Sequence, residues 1–114
     1  MSDNMWIIDA FTPVAFRGNP AAVCLLESFP EDKVLQRIAA IANLSETAFV
    51  VPTGGTNYKL RWFTPEVEVK LCGHATLAAT HALFQAGKLK KGETATYDTL
   101  SGTLTARLLD KGIE

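Results

Sequence analysis

With 114 residues, 11 Lys and Arg against 12 Asp and Glu, and a net charge of −1, the chain lacks the clustered cations that nucleic acid or anionic membrane would require. A hydrophobic share of 47% with 20% charged residues excludes a disordered chain and suits one compact domain. The opening Met1-Ser2-Asp3-Asn4 carries no positive charge, Asp9 interrupts the apolar run Met5 to Ile8, and no apolar stretch approaches ~18 residues, so neither a leader nor a span is expected. Cys24 and Cys72 have neither zinc-ligand nor disulfide-framework spacing, so a reduced, cytoplasmic protein is expected.

In chain order, Trp6 to Phe11 reads as a first strand, Gly18-Asn19-Pro20 as a turn, and Ala21 to Leu26 as a second strand. Pro30-Glu31-Asp32 opens a helix running to about Ala42, since proline lacks only an amide that is unpaired there and acids complement the dipole. Its apolar positions Val34, Leu35, Ile38, Ala39, Ile41 and Ala42 predict one buried stripe. Glu46 to Val51 is a strand, 52–57 a loop, and Tyr58 to Thr64 a partner strand. From Gly73 to Gly87 a helix almost without charge is expected to be buried. At about 100° per residue, Ala75, Ala78, Ala79, Ala82 and Ala86 share one methyl-sized face, while His74, His81 and Gln85 form a stripe of their own. Such a face admits close approach of another backbone. Thr94 to Leu109 reads as a hairpin turning at Leu100-Ser101-Gly102, and the last residues as the start of another strand.

Two segments can carry chemistry. Leu71-Cys72-Gly73-His74-Ala75-Thr76 places a thiol, a glycine and an imidazole at a helix amino terminus, where unpaired amides and the dipole attract a carboxylate or phosphate. Ser45-Glu46-Thr47 stands where a helix hands over to a strand; Glu46 is a candidate general base, with Phe49 to desolvate it and Ser45 or Thr47 to orient it. On spacing alone the same residues also fit a packed helix start with a buried thiol and a solvated turn glutamate. A zinc site on His74 and His81 fails, because two helical turns separate them by about 10 Å. His81 is read as a core histidine, Cys24 as packing, and Trp6 and Trp62 as core or cleft wall. Thr53-Gly54-Gly55-Thr56 matches no nucleotide-binding loop.

Five segments in order are together specific: Ile8-Asp9-Ala10-Phe11-Thr12, Phe16-Arg17-Gly18-Asn19-Pro20-Ala21-Ala22-Val23, Asn43-Leu44-Ser45-Glu46-Thr47-Ala48-Phe49-Val50, Arg61-Trp62-Phe63-Thr64-Pro65 and Leu71-Cys72-Gly73-His74-Ala75-Thr76-Leu77-Ala78. In them the chain resembles the amino-terminal half of the PhzF-like isomerase family of phenazine biosynthesis, relatives of diaminopimelate epimerase. The resemblance implies an α+β domain, a mostly antiparallel half-barrel sheet wrapped around a buried central helix. It also implies a cofactor-independent isomerase without a metal, in which Glu46 moves a proton on a small carboxylate-bearing substrate and His74 assists. Ser45, Gly73 and Asn19 are then expected to border the pocket, and Cys72, a catalytic base in the epimerase relatives, to be a spectator or minor participant. Family members carry a second, similar domain that completes the cleft. Residues 1–114 are accordingly expected to form that first domain alone, a fragment associating through its exposed cleft face, or otherwise a non-catalytic module for small-carboxylate binding or for interaction.

Overall fold

Strand and helix alternate in the chain because apolar residues switch between a period of two and a period near 3.6. The computed structural model describes residues 4–8, 21–44, 46–70, 73–109 and 112–113, with side chains described over 21–44, 46–70 and 76–107. Strand β1 (Asn4–Ile8) pairs antiparallel with β2 (Ala21–Leu25), Trp6 opposite Val23. Residues 9–11 of the expected first strand lie outside the described residues. Helix α1 (Asp32–Ala42) follows, with Asp32 in its first turn and Asn43 closing it in the left-handed conformation at φ 53°, its amide donating to the Ala39 carbonyl at 3.0 Å. Asparagine is among the few residues that tolerate this conformation.

The buried stripe of α1 is narrower than its apolar positions suggest. Leu35 and Ala39 are fully buried and Ile38 and Ala42 half-buried, but Val34 is 39% and Ile41 77% exposed. On a helical wheel those two lie about 100° and 120° from Leu35, beyond the arc the sheet can cover.

Strand β3 (Glu46–Gly54) and β4 (Asn57–Phe63) form a hairpin. The expected loop over 52–57 is instead a tight turn, since β3 continues through Pro52 opposite Tyr58, with a register shift between Pro52 and Gly54. Proline is tolerated there because pairing with β2 ends at Leu25 opposite Val50, leaving that side of β3 without a ladder to serve. Gly55, at φ 58°, supplies the left-handed residue of the turn.

Short strand β5 (Glu68–Val69) pairs with Trp62 and Phe63 of β4 and leads towards helix α2 (Gly73–Gln85). Strands β6 (Thr94–Thr99) and β7 (Gly102–Leu109) form the predicted hairpin, and β8 (Gly112–Ile113) pairs with β7. The strand order is β1-β2-β3-β4-β6-β7-β8, with β5 on β4. The sheet is mixed: antiparallel pairings predominate among the described strands, as expected, and two parallel pairings interrupt them. Both β2 with β3 and β4 with β6 run parallel, because a helix crossover, α1 in one case and α2 in the other, returns the chain to the same end of the sheet.

Period-two alternation assigns the two faces. Ala21, Val23, Ala48, Val50, Leu60 and Trp62 pack with Ala78, Ala79, Ala82 and Leu83 of α2. Cys24, Phe49 and Phe63 pack with Leu35 and Ala39 of α1, and Phe49 meets Phe63 edge-on at 5.4 Å. Cys24 is thus a buried packing residue outside any disulfide, and Trp62 is core. Ala78, Ala79, Ala82 and Ala86 of the alanine face of α2 pack into the core as expected, the side chain of Ala75 lying outside the described residues, but the helix is not buried all round. Phe84 is 38% exposed, and His81 is half-buried beside it, ring centres 6.5 Å apart, so His81 is no core histidine. Inside, Thr80 donates to the Thr76 carbonyl at 3.0 Å; its one proton being used, the Tyr97 hydroxyl donates to Thr80 Oγ1 at 2.7 Å. Burial pushes the Tyr97 phenol far above its ordinary value.

Candidate active site

Glu46 is the first residue of β3, half-buried and in register with Ala21 of β2. By alternation it shares the face of Ala48 and Val50, the face that α2 covers. Phe49 lies on the opposite face, against α1, so the expected desolvation of Glu46 by Phe49 is corrected by the odd spacing between them. Thr47 is fully buried and its Oγ1 has no hydrogen-bond partner, so it does not orient Glu46 as expected.

Helix α2 begins at the same end of the sheet. Its lead-in strand β5 pairs with Trp62 and Phe63, which stand opposite Ala48 and Thr47, two positions and one position from Glu46. At its other end Leu83 lies with Leu25 and Val50 around a common cavity, so α2 runs back along β2 and β3. Gly73 is the first residue of α2 and His74 the second, in a turn without acidic residues whose leading amides lack intrahelical partners. An anion is favoured at such an end. The side chain of His74 lies outside the described residues, as do Asn19, Ser45 and Cys72. Among the described residues no group of three His, Cys, Asp or Glu side chains is placed to hold a metal ion.

Beside this pole stands a cluster that spacing alone does not reveal. Arg61 of β4 donates Nε and Nη2 to the two carboxylate oxygens of Glu68 in β5, at 2.8 and 2.7 Å, and Nη1 to Asp32 of α1 at 3.0 Å. Its guanidinium lies 5.4 Å from the ring centres of both Phe29 and Phe63. The hydrogen bond from Arg61, then its charge, holds the Asp32 carboxyl below the usual range, while the Glu68 hydrogen bond raises the guanidinium. A bidentate pair of this kind fixes direction as well as distance. It holds β5, and so the lead-in to Gly73, against β4. Ser101 Oγ adds a second tie, donating to the Lys70 carbonyl at 2.6 Å. The signal available in the sequence was the odd position of Arg61 in β4, which puts it on the α1 face with Phe63. Its partners come from two other elements. A second buried polar atom without a partner, Trp62 Nε1, lies on the Glu46 face of the sheet.

Residues 8–114 match the family model described as phenazine biosynthesis-like protein. Among curated proteins the chain is 47% identical to an uncharacterized isomerase of Halalkalibacterium halodurans over 114 residues, 100% of this chain and 43% of that protein. It is 52% identical to the mouse phenazine biosynthesis-like domain-containing protein 2, covering 96% of this chain and 40% of that one. The crystal structure of a PhzF-family phenazine biosynthesis protein from Enterococcus faecalis superposes with a TM-score of 0.86 at 46% identity, over 96% of this chain and 42% of that one. The chain therefore spans about two-fifths of the length of these relatives. Agreement of family model, sequence and backbone over nearly every residue leaves one conclusion, that the chain belongs to the phenazine biosynthesis-like family, PhzC-PhzF.

Proposed function

We propose that the chain is part of a cofactor-independent isomerase or epimerase in which Glu46 is the general acid and base. The observation that carries the reading is the common pole: Glu46 opens β3 on the face covered by α2, and α2 begins beside the rungs next to Glu46. The isomerase name of the Halalkalibacterium relative supports the reaction class.

In this reading the substrate carboxylate lies at the first turn of α2, where free amides and the dipole stabilise charge as it grows next to the carboxylate. Glu46 removes the proton from the adjacent carbon, leaving an enolate-like anion, and returns it to another carbon or to the other face. No electrons leave the substrate and no co-reactant is consumed. His74, the second residue of α2, donates a hydrogen bond or a proton, while Gly73 admits the ligand to the backbone. Ser45 and Asn19 border the pocket and Cys72 is a spectator. The fold around it is a half-barrel. In support, α2 touches β1, β2 and β3 from one end of the strand order and β7 and β8 from the other, which a flat sheet of strands ~4.8 Å apart does not permit around one helix. The proposed setting is cytoplasmic, and copies associate through the cleft face.

The test is conversion of a panel of small hydroxy, amino and enol acids, followed by proton NMR with the wild-type chain and Cys72→Ala. Isomerisation equal in both supports the reading. Loss in Cys72→Ala with the fold intact moves the chemistry to the thiol, and saturable carboxylate binding without conversion leaves a binding module.

A further inference from the structure

The end of α2 remote from Glu46 holds a cavity of about 260 Å³ that the proposed reaction does not use. It is some 13 Å from Glu46, judged by the four residues of β3 to Val50, and about 15 Å from Gly73, judged by the ten residues of α2 to Leu83. Leu25, Leu26, Val50 and Leu83 make apolar walls. Cavities of ~150 Å³ with such walls take a benzene ring, and drug-sized ligands need ~300 Å³ or more. The volume therefore suits one ring with a short polar arm. Tyr58 contributes a further wall; among the described residues its hydroxyl reaches only the Lys88 carbonyl, at 3.4 Å, long for a hydroxyl donor, and is able to turn to a ligand. Two opposite charges, Glu27 and Lys88, also line the cavity. Glu27 is engaged elsewhere as well, but a carboxylate has about four acceptor positions and keeps some for an ammonium.

We propose that this cavity is a second small-molecule site, built for an aromatic α-amino acid or a metabolite of that form. The ring enters between Leu25, Val50 and Leu83, the carboxylate meets Lys88, and the ammonium meets Glu27. A plain hydrophobe meets neither charge, and an acid or an amine meets only one of them.

Titration of the isotopically labelled 114-residue chain with L-phenylalanine, read by amide NMR shifts, tests the proposal. Saturable shifts are expected at Leu25, Leu26, Val50, Leu83 and Lys88. 3-Phenylpropionate, which lacks the ammonium, and phenethylamine, which lacks the carboxylate, should each bind about tenfold more weakly, the effect of one missing charge-assisted hydrogen bond. Lys88→Met and Glu27→Gln, both at exposed positions, should each weaken L-phenylalanine about tenfold with the dispersed spectrum of the folded chain retained. Shifts that do not saturate, shifts confined to Glu46 and Gly73, binding of either half-ligand as tight as that of L-phenylalanine, or variants that bind as wild type would each overturn it.

Discussion

A hydroxyl buried without a partner costs about 1–3 kcal/mol, and Thr47 carries one directly beside Glu46. Thr47→Val keeps the shape and removes that penalty, so it should raise stability by about 1 kcal/mol, seen as a melting midpoint ~4 °C higher. Turnover should be unchanged if Glu46 acts without it. Tyr97 argues in the opposite direction, since its hydroxyl completes a buried chain through Thr80 to the Thr76 carbonyl. Tyr97→Phe should cost about 1 kcal/mol at neutral pH. It should also alter the alkaline limb. The folded phenol is raised above its unfolded value of ~10, so stability is complete below that pH and is lost as pH climbs towards the folded value. Urea midpoints should therefore fall between pH 8 and pH 11 for wild type, and fall less for Tyr97→Phe; the remaining drop comes from Tyr58, raised by burial and then by the Glu93 charge.

Elements were the most legible scale, and their failures have local causes. The ends of α1 and the β6–β7 hairpin follow from Asp32, Asn43 and Ser101-Gly102, because capping and turn chemistry act over three or four residues. Pro52 misled the reading of β3, since a proline breaks a strand only where a ladder needs its amide, and the absence of β2 beyond Leu25 is a tertiary fact. Ile41 misled the reading of α1 for the same reason: periodicity says which residues share a side, not how wide a neighbour covers it. For α2 the alanine face was legible and its packing makes a prediction. Ala79 is fully buried between helix and sheet, and Ala79→Leu should destabilise by about 1–3 kcal/mol through overpacking, measured by chemical denaturation.

At the scale of the molecule, the two parallel pairings are what the sequence hid. Local alternation is the same in a parallel and an antiparallel strand, so β2 with β3 and β4 with β6 emerge only when α1 and α2 are seen as crossovers. The candidate site was legible as two motifs, Ser45-Glu46-Thr47 and Cys72-Gly73-His74. That Glu46 and the start of α2 at Gly73 lie at one pole depends on β5 pairing with Trp62 and Phe63 and on the Arg61–Glu68 fork that secures it, contacts between residues no motif links. If Glu46 moves the proton as proposed, solvent exchange at the substrate carbon depends on it. A small acid that the chain binds is incubated in deuterium oxide, and deuterium at its carbon atoms is followed by NMR for wild type and Glu46→Gln. Deuterium uptake by wild type is expected, with a loss of about 10²–10⁴-fold in Glu46→Gln while binding is retained. Exchange at the wild-type rate in Glu46→Gln would contradict the claim.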